Sequence, residues 1–321
     1  MEHKKKLIGF RTIKTVIGAA LAVYISQRLN LAYAVNSGII VILSVQATRK
    51  KSRDLAIMRI GSTILALGIG TIVFTLIGYS AISFGVYLLF FIPIATRLKF
   101  NDGIVPCSVL VSHLVAVESV ALPSLLNEMM QMLIGAGIGF ILNLYMPSLD
   151  KQIKKDIVEI EAMFKQILKN MATSLRNQQP LVDHTLYHDL EQKLKICNNR
   201  AWMESENKMT KEVTEHVKYI EARLAQFEML HHMKRYFKRI RGHYDQTMMV
   251  AELTDMISNR FDKTSTLEEI IDTFKAYRLR FKEMKLPQTR EEFENRSLLY
   301  EYVNDLEHFL EAKGAIMHTL E

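Results

Sequence analysis

The first half of the chain is a succession of apolar segments separated by short polar connections. Runs such as residues 38–43 and 86–91 are apolar on every side, unlike the single apolar stripe of a helix on a soluble protein. A helix needs about 20 apolar residues to cross a bilayer. The pattern therefore predicts six transmembrane helices, with four as the alternative if the shorter segments are re-entrant or peripheral. The predicted spans are residues 12–29, 31–48, 60–78, 82–96, 103–122 and 125–147.

The pattern changes at about residue 150 to that of amphipathic helices. Apolar side chains recur three and four positions apart, as in Ile153, Ile157, Ile160 and Phe164, which places them on one helical face. Similar stripes continue almost to the end of the chain, and no alternation typical of strands interrupts them. The predicted fold class is all-α. A transmembrane domain over residues 1–149 precedes a cytoplasmic bundle of five or six helices over residues 150–321.

The charges indicate how the spans are oriented. The net charge of +7 arises in residues 1–150, where basic residues outnumber acidic ones about two to one. Basic residues cluster near the N-terminus and in alternate connections, near residues 49–53 and 97–99, and recur after the last span at residues 151–155. The positive-inside rule then places both termini in the cytoplasm and the protein in the cell membrane. The basic balance is thus an orientation signal, and no nucleic-acid partner is predicted.

Polar residues inside the apolar half are the candidate functional residues, because each is unfavourable in lipid and tends to face protein or water. Any one of them could be structural or could extend towards the membrane surface. As a set, they predict a polar path with positive charge at its cytoplasmic mouth. The candidate path residues are Arg11, Lys14, Asn36, Gln46, Thr48, Arg59, Arg97 and Lys99. The candidate proton-linked residues are His113 and Glu118.

Recognisable catalytic and metal-binding motifs are absent from the sequence. No Walker loop, dinucleotide fingerprint, nucleophile elbow or kinase signature occurs, which argues against an ATP-driven pump and against an enzyme. His184 and His188 have a spacing that could hold a metal, but no third ligand follows at a recognisable distance. Cys107 and Cys197 lie in different halves and predict no disulfide. No metal and no cofactor are predicted.

Two short segments of the first half resemble the aromatic acid exporter family. One is Arg11-Thr12-Ile13-Lys14-Thr15. The other is Val45-Gln46-Ala47-Thr48, followed by basic residues, Ser52 and Arg59-Ile60-Gly61, with Ala47 where many relatives have proline. The branch with a C-terminal cytoplasmic helical domain is similar over essentially the whole chain. More distantly, the organisation is similar to plant aluminium-activated malate transporters, which implies an anion path and a homodimer.

These observations lead to the hypothesis of an exporter of organic anions, aromatic carboxylates among them, acting by facilitated diffusion or proton-coupled exchange. An anion leaving a cell with a negative interior gains about 2.3 kcal/mol per charge per 100 mV. The expected partners are the lipid bilayer, small organic anions and a second copy of the chain. The alternative is a membrane-anchored sensor or scaffold whose helical domain binds a partner or ligand. Neutralising Arg11, Lys14 and Arg59 should abolish flux through an exporter and affect a scaffold little.

Overall fold

The computed structural model describes residues 9–178, 184–209, 214–240, 244–261 and 267–317. Regular structure in these ranges consists of twelve α-helices and two short 3-10 turns, without a strand. The predicted all-α fold class is therefore confirmed. The basic residues Lys4, Lys5 and Lys6, which contribute to the predicted orientation, lie outside the described residues.

The chain divides into two compact units. The N-terminal unit comprises the described residues up to Pro147 together with Glu206–Met209, and the C-terminal unit comprises the remainder from Ser148 onwards. Each unit has its own buried apolar core, as expected for separate domains.

Six α-helices form the N-terminal unit. They are α1 (Phe10–Arg28), α2 (Val35–Ser44), α3 (Arg49–Ile77), α4 (Ala81–Arg97), α5 (Ile104–Val117) and α6 (Leu122–Leu144), with a 3-10 turn at Asn101–Gly103. Two of them, α3 and α6, are each long and apolar enough to cross a membrane. Helices α2, α4 and α5 are apolar but shorter, so six complete crossings remain a prediction.

The helix boundaries depart most from the predicted spans around Thr48. The apolar segment 31–48 contains a helix of 10 residues, which rises only about 15 Å, or half of a hydrocarbon core about 30 Å thick. Thr48 is extended, and its hydroxyl accepts a hydrogen bond from the backbone N–H of Lys51, so that α3 begins at Arg49. Hydropathy ends a segment at a charge, whereas the helical backbone continues through the charged residues at the start of α3.

Glycines of α6 allow its backbone to approach α2 closely. A Cβ atom on Gly135 would lie 2.7 Å from the carbonyl oxygen of Ser37, and one on Gly139 would lie 2.6 Å from Cβ of Ser44. Gly137, on another face of α6, has no such neighbour within 4 Å. Helix α2 is short, but it is therefore packed against α6 along its length, in the manner of small-residue contacts between membrane helices.

The N-terminal unit carries many of its large apolar side chains on its outer surface. Leu76 is 78% exposed and Ile82 is 76% exposed, and similar residues occur on all six of its helices. The C-terminal unit has far fewer. Those described are Val158, Ile196, Trp202, Met203, Leu279, Leu286, Phe293 and Tyr300. An extensive apolar exterior of this kind favours a non-aqueous neighbour.

The C-terminal unit also contains six α-helices within the described residues. They are α7 (Asp150–Asn177), α8 (His184–Lys208), α9 (Glu215–Met233), α10 (Asp245–Arg260), α11 (Leu267–Glu283) and α12 (Arg290–Met317). The predicted stripe on α7 faces the core, where Phe164 packs against Phe261 and Phe309 with ring centroids 5.8 and 6.1 Å away. The amphipathic pattern thus identified the buried face of α7 correctly.

Candidate functional site

The C-terminal end of α2 is closed by an arginine from α3. The last carbonyls of a helix have no partner within the helix. Arg59 is 4% exposed, and its guanidinium donates to Oγ of Ser44 at 2.6 Å and to the carbonyls of Ile40 and Leu43 at 3.3 and 3.1 Å. Among the described residues, no carboxylate lies within 4.0 Å of this guanidinium. Arg59 is therefore a buried cation held by neutral groups.

Side chains from α1, α3 and α6 satisfy the backbone that follows α2. Arg11 donates to the carbonyl of Val45 at 2.9 Å. Asn143, which is buried, donates to the carbonyl of Gln46 at 2.8 Å and to Oγ of Ser52 at 2.6 Å. We call Arg11, Ser44, Ser52, Arg59 and Asn143 the α2-end cluster. It places two of the predicted path residues, Arg11 and Arg59, around one break in the helical backbone.

Three more predicted path residues lie close to this break in the chain. Lys14 is buried and donates to the carbonyl of Tyr145, two residues beyond Asn143. Gln46 is half-buried, and Thr48 is buried with its hydroxyl 2.9 Å from a carboxylate oxygen of Glu206. Their polar groups are thus bound to protein groups.

Arg97 and Lys99 are not part of this cluster. Both are exposed, at the end of α4 and just after it. The same connection contacts α3 through Phe100, whose ring lies 3.1 Å from the position a Cβ atom would occupy on Gly61. The predicted basic mouth is therefore divided between a buried group around α2 and an exposed group after α4.

A second polar group lies at the other end of α2. His113 of α5 contacts Glu128 of α6 through Nδ1 and Oε2, 2.9 Å apart, and contacts Asn36 of α2 through Nε2 and Nδ2, also 2.9 Å apart. The side chains of His113 and Glu128 are 13% and 3% exposed. Because the amide nitrogen of Asn36 is a donor, Nε2 accepts and the ring hydrogen resides on Nδ1, which donates to the carboxylate. We call Asn36, His113 and Glu128 the His113 cluster.

The connection between α1 and α2 covers the His113 cluster. The ring of Tyr33 stacks on that of His113 with centroids 4.2 Å apart and planes 14° apart. Tyr33 has a φ of 57°, a left-handed conformation that is unfavourable for a bulky residue and persists only where surrounding contacts hold it. Asn127 and Gln131 hold the adjacent Ala32 through its backbone N–H and carbonyl at 2.8 and 2.7 Å.

Glu118 and Glu128 differ sharply in position. Glu118, a predicted proton-linked residue, is exposed and forms the left-handed C-cap of α5. Glu128 was not among the predicted site residues, although it is the carboxylate that contacts His113. The sequence did carry a signal, because Glu128 lies inside the predicted span 125–147, and ionisable residues within a span tend to face protein or water.

Two buried charges of the C-terminal unit, Asp156 and Arg223, have partners of opposite charge. Burial opposes ionisation of Asp156, but hydrogen bonds from Arg200 and Lys193 outweigh it and lower the pKa of this carboxyl. Burial lowers the pKa of the Arg223 guanidinium, against the opposing effect of Glu161, which lies 2.5 Å away. These groups are positioned as structural ion pairs in the bundle.

A small apolar pocket of about 20 Å³ lies between α10, α11 and α12. Tyr277, Phe281 and Tyr300 contribute to its walls, together with Arg278. Arg278 already has a carboxylate partner, since its Nη1 lies 2.6 Å from Oε2 of Glu307. The pocket therefore offers no uncompensated charge to a ligand.

Metal ligands and reactive thiols are not assembled in the described residues. No group of three or more His, Cys, Asp or Glu side chains there has metal-binding geometry, and the side chain of His184 lies outside the described residues. Cys107 and Cys197 are free thiols and are both fully buried. Burial raises the pKa of the Cys197 thiol to about 11.

A helical unit with an apolar exterior and charged groups inside has the arrangement of a membrane protein that handles polar solutes. Two family models identify the family within this class: the chain belongs to the aromatic acid exporter family. Residues 6–146 match the model "Aromatic acid exporter family member 1", and residues 150–314 match "Putative aromatic acid exporter C-terminal domain". The resemblance read from the sequence is thus confirmed, and the chain falls in a class of membrane exporters. The more distant similarity to plant malate transporters stays a prediction.

A curated relative covers nearly the whole chain. The chain is 33% identical over 307 residues to "Uncharacterized protein YqjA" of Bacillus subtilis (strain 168), a match that spans 96% of this chain and 95% of the relative. The combination of the N-terminal and C-terminal units therefore occurs as one protein in this relative as well.

Proposed function

We propose that this protein exports organic anions, aromatic carboxylates among them, across the cell membrane. All six helices of the N-terminal unit enter or cross the bilayer, with both termini and the C-terminal unit in the cytoplasm, and the protein acts as a homodimer. Membership of an exporter family, the apolar exterior of the N-terminal unit and the basic alternate connections support this proposal.

The observation that carries the anion specificity is the environment of Arg59. Its guanidinium is buried, and among the described residues no carboxylate lies within 4.0 Å of it; the exposed Asp102 acts on it only over a longer distance. A buried charge without a close counter-ion is unfavourable, so such a charge is expected to have a function. An organic carboxylate that approaches the α2-end cluster would supply the missing negative charge. Arg11 and Lys14 would add to the attraction.

The remaining predicted residues act at different positions along the proposed path. Exposed Arg97 and Lys99 collect anions from the cytoplasm, and Gln46 and Thr48 line the approach to the α2-end cluster. Asn36, at the opposite end of α2, lies where the path leaves the cluster. The membrane potential alone favours export by about 2.3 kcal/mol per charge per 100 mV, and proton exchange would add a second driving force.

The test is flux of radiolabelled benzoate and malate into or out of proteoliposomes under an imposed potassium-diffusion potential. Wild-type protein should carry at least one of them. Arg59→Gln should reduce that flux at least tenfold, and Arg59→Lys, which keeps the charge with fewer donors, should fall between them. Arg53→Gln is the matched control, because Arg53 lies on the same helix but is exposed and paired with Asp54. Absence of benzoate and malate flux in the wild type, or undiminished flux in Arg59→Gln, would refute the proposal.

A scaffold or sensor predicts a different result. Its spans serve only as an anchor, so that Arg59→Gln would leave a partner-binding function intact and no vesicle flux would be seen with any variant. Elution of each variant at the wild-type volume in size-exclusion chromatography shows that lost flux does not reflect aggregation.

A further inference from the structure

We propose that His113 and Glu128 form a proton-binding site through which anion export is coupled to the proton gradient. This inference rests on the proposed export function and assigns its coupling ion. Of the two predicted candidates it keeps His113, and in place of Glu118 it assigns Glu128, which the structure brings into contact with His113.

The charge of this pair is able to change, unlike that of the other buried pairs. In the C-terminal unit, Asp156 and Glu161 face arginine, which stays protonated throughout the physiological range. Glu128 faces a histidine, the side chain whose charge changes most readily near neutral pH. Among the described residues, no lysine or arginine lies within 4.0 Å of Glu128. One proton therefore alters the net charge of the whole buried group.

The neighbouring elements contribute few other charges. The α1–α2 connection presents the ring of Tyr33 to His113, and α2 presents the neutral amide of Asn36. On α5 itself, Glu118 is exposed beyond the end of the helix. Arg28, at the end of α1, is exposed and bonded to the hydroxyl of Tyr24 at 3.2 Å. Glu128 is thus the acidic group in direct contact with His113.

Protonation of His113 would change the hydrogen bond that it shares with Asn36, a residue of α2. In the described geometry, Nδ2 of Asn36 donates to Nε2 of His113. A proton on Nε2 would make both nitrogens donors, so that the amide must turn its oxygen towards the ring or lose the contact. Asn36 is the second residue of α2, whose opposite end is closed by Arg59. One short helix therefore connects the proposed proton site with the proposed anion site.

The surroundings of the pair suit the entry of protons or water. Gln131 is fully buried one turn after Glu128, and its Oε1 has no hydrogen-bond partner among the described residues. A buried acceptor of this kind is normally satisfied by a donor, such as a water molecule. Tyr33 covers His113 from the connection between α1 and α2, which faces the outside in the predicted topology. Protons would therefore enter from the external side.

The resulting exchange conserves protons and moves two net positive charges inward per cycle. The pair takes up one proton from outside, an anion leaves from the cytoplasmic side, and the proton is released inside, without any covalent change. Proton entry and anion exit both move net positive charge inward, so an interior-negative potential favours both.

The experiment imposes a pH gradient on proteoliposomes while potassium and valinomycin hold the potential at zero, with benzoate and malate as probes. Exchange of one proton for one anion should accumulate the anion about tenfold on the acidic side for each pH unit, since a tenfold ratio corresponds to about 1.4 kcal/mol. Leakage of neutral benzoic acid gives the opposite sign, because the acid accumulates on the alkaline side. The direction of accumulation therefore separates transport from leakage.

Glu128→Gln and His113→Gln should bring the accumulation ratio to about one, whereas Glu118→Gln should respond to the gradient as the wild type does. Accumulation that persists in Glu128→Gln, or that is lost in Glu118→Gln, would overturn the inference. Wild-type flux that responds to potential but not to the pH gradient refutes the coupling and leaves export standing. Absence of flux under both conditions refutes export itself.

A measurement without transport keeps the proton site testable in every case. A pH-jump infrared difference spectrum of the detergent-solubilised full chain should contain imidazole ring bands that are missing in His113→Gln and present in Glu118→Gln. Carboxylate bands of Glu128, displaced by the new charge on the ring, should be missing in Glu128→Gln. If the His113→Gln spectrum equals that of the wild type, the pair takes up no proton and the inference is wrong.

Discussion

The guanidinium of Arg59 lies 2.6 Å from the hydroxyl oxygen of Ser44, the last residue of α2. Removing this hydroxyl with Ser44→Ala takes away one hydrogen bond to a charged group but leaves the carbonyl contacts of Arg59. We expect a loss of about 1.5–3 kcal/mol in the free energy of unfolding. The measurement is the temperature at which the detergent-purified chain loses its monodisperse elution peak.

Arg59→Met should be more damaging to stability than Ser44→Ala, because it removes all three hydrogen bonds of the guanidinium, to the hydroxyl of Ser44 and to the carbonyls of Ile40 and Leu43. The expected order of stability is wild type, Ser44→Ala and then Arg59→Met. Equal stability of Arg59→Met and the wild type would show that these carbonyls do not depend on the guanidinium.

The contact between α6 and α2 predicts a difference between two neighbouring glycines. Gly139→Ala places a methyl group against Ser44, where a Cβ atom would lie at 2.6 Å, and should destabilise the N-terminal unit by about 1–3 kcal/mol. Gly137→Ala is the matched control, since its Cβ meets open space and alanine favours a helix by about 1 kcal/mol. Thermal stability in detergent should fall for the first variant and stay level or rise for the second.

The buried carboxylate of Asp156 predicts a pH-dependent contribution to stability. Its pKa is lowered in the folded unit because hydrogen bonds from Arg200 and Lys193 outweigh its burial. The stabilisation is therefore complete above the unfolded pKa of about 3.9 and is lost as the pH falls through the lower folded value. Asp156→Asn should lower the melting temperature at pH 7 and approach the wild type below about pH 4.

Trp202 provides a selective measurement of this effect. It is the single tryptophan of the chain and lies in α8 within the C-terminal unit, so its fluorescence reports that unit. Asp272→Asn is the control, because Asp272 pairs with Lys275 on the exposed surface, where such pairs contribute little. A constant difference between Asp156→Asn and the wild type across this pH range would contradict the assigned pairing.

The pair formed by Arg223 and Glu161 predicts a non-additive result. Arg223 is buried beside Glu161 and lies over the ring of Phe261, 5.0 Å from its centroid. Arg223→Met should destabilise the C-terminal unit by about 3–5 kcal/mol, because it removes the positive charge that compensates a partly buried carboxylate. The double variant with Glu161→Met should recover much of that loss. Losses that simply add would show that the two side chains do not interact.

The sequence pattern was sufficient where a helix has one apolar face or is bounded by clear polar connections. It therefore identified the all-α class and the buried face of α7. It could not predict that α2 ends at Ser44, because this end depends on distant donors such as Arg59 and Asn143. Hydropathy records the nature of each residue, whereas helix ends here are set by side chains that meet only in the folded unit.

The sequence predicted which kinds of residue form the candidate site, but it predicted only some of the contacts between them. Arg59 and His113 stood out because ionisable residues are unfavourable in an apolar segment. The preference for Glu118 over Glu128 is not supported by the contacts, since Glu118 caps the exposed end of α5 whereas Glu128 lies buried on α6. The pairing of His113 with Glu128 depends on the packing of α5 against α6, which spacing along the chain does not encode.

Both native cysteines are buried, so the wild-type chain can serve as the unlabelled control in thiol labelling. Because Cys107 and Cys197 are fully buried, a membrane-impermeant maleimide should leave the intact protein unmodified. Leu29 and Leu98 are each 51% exposed and follow α1 and α4, on opposite sides of the bilayer in the six-span topology. Leu29→Cys should therefore react on intact cells, and Leu98→Cys only after the membrane is opened.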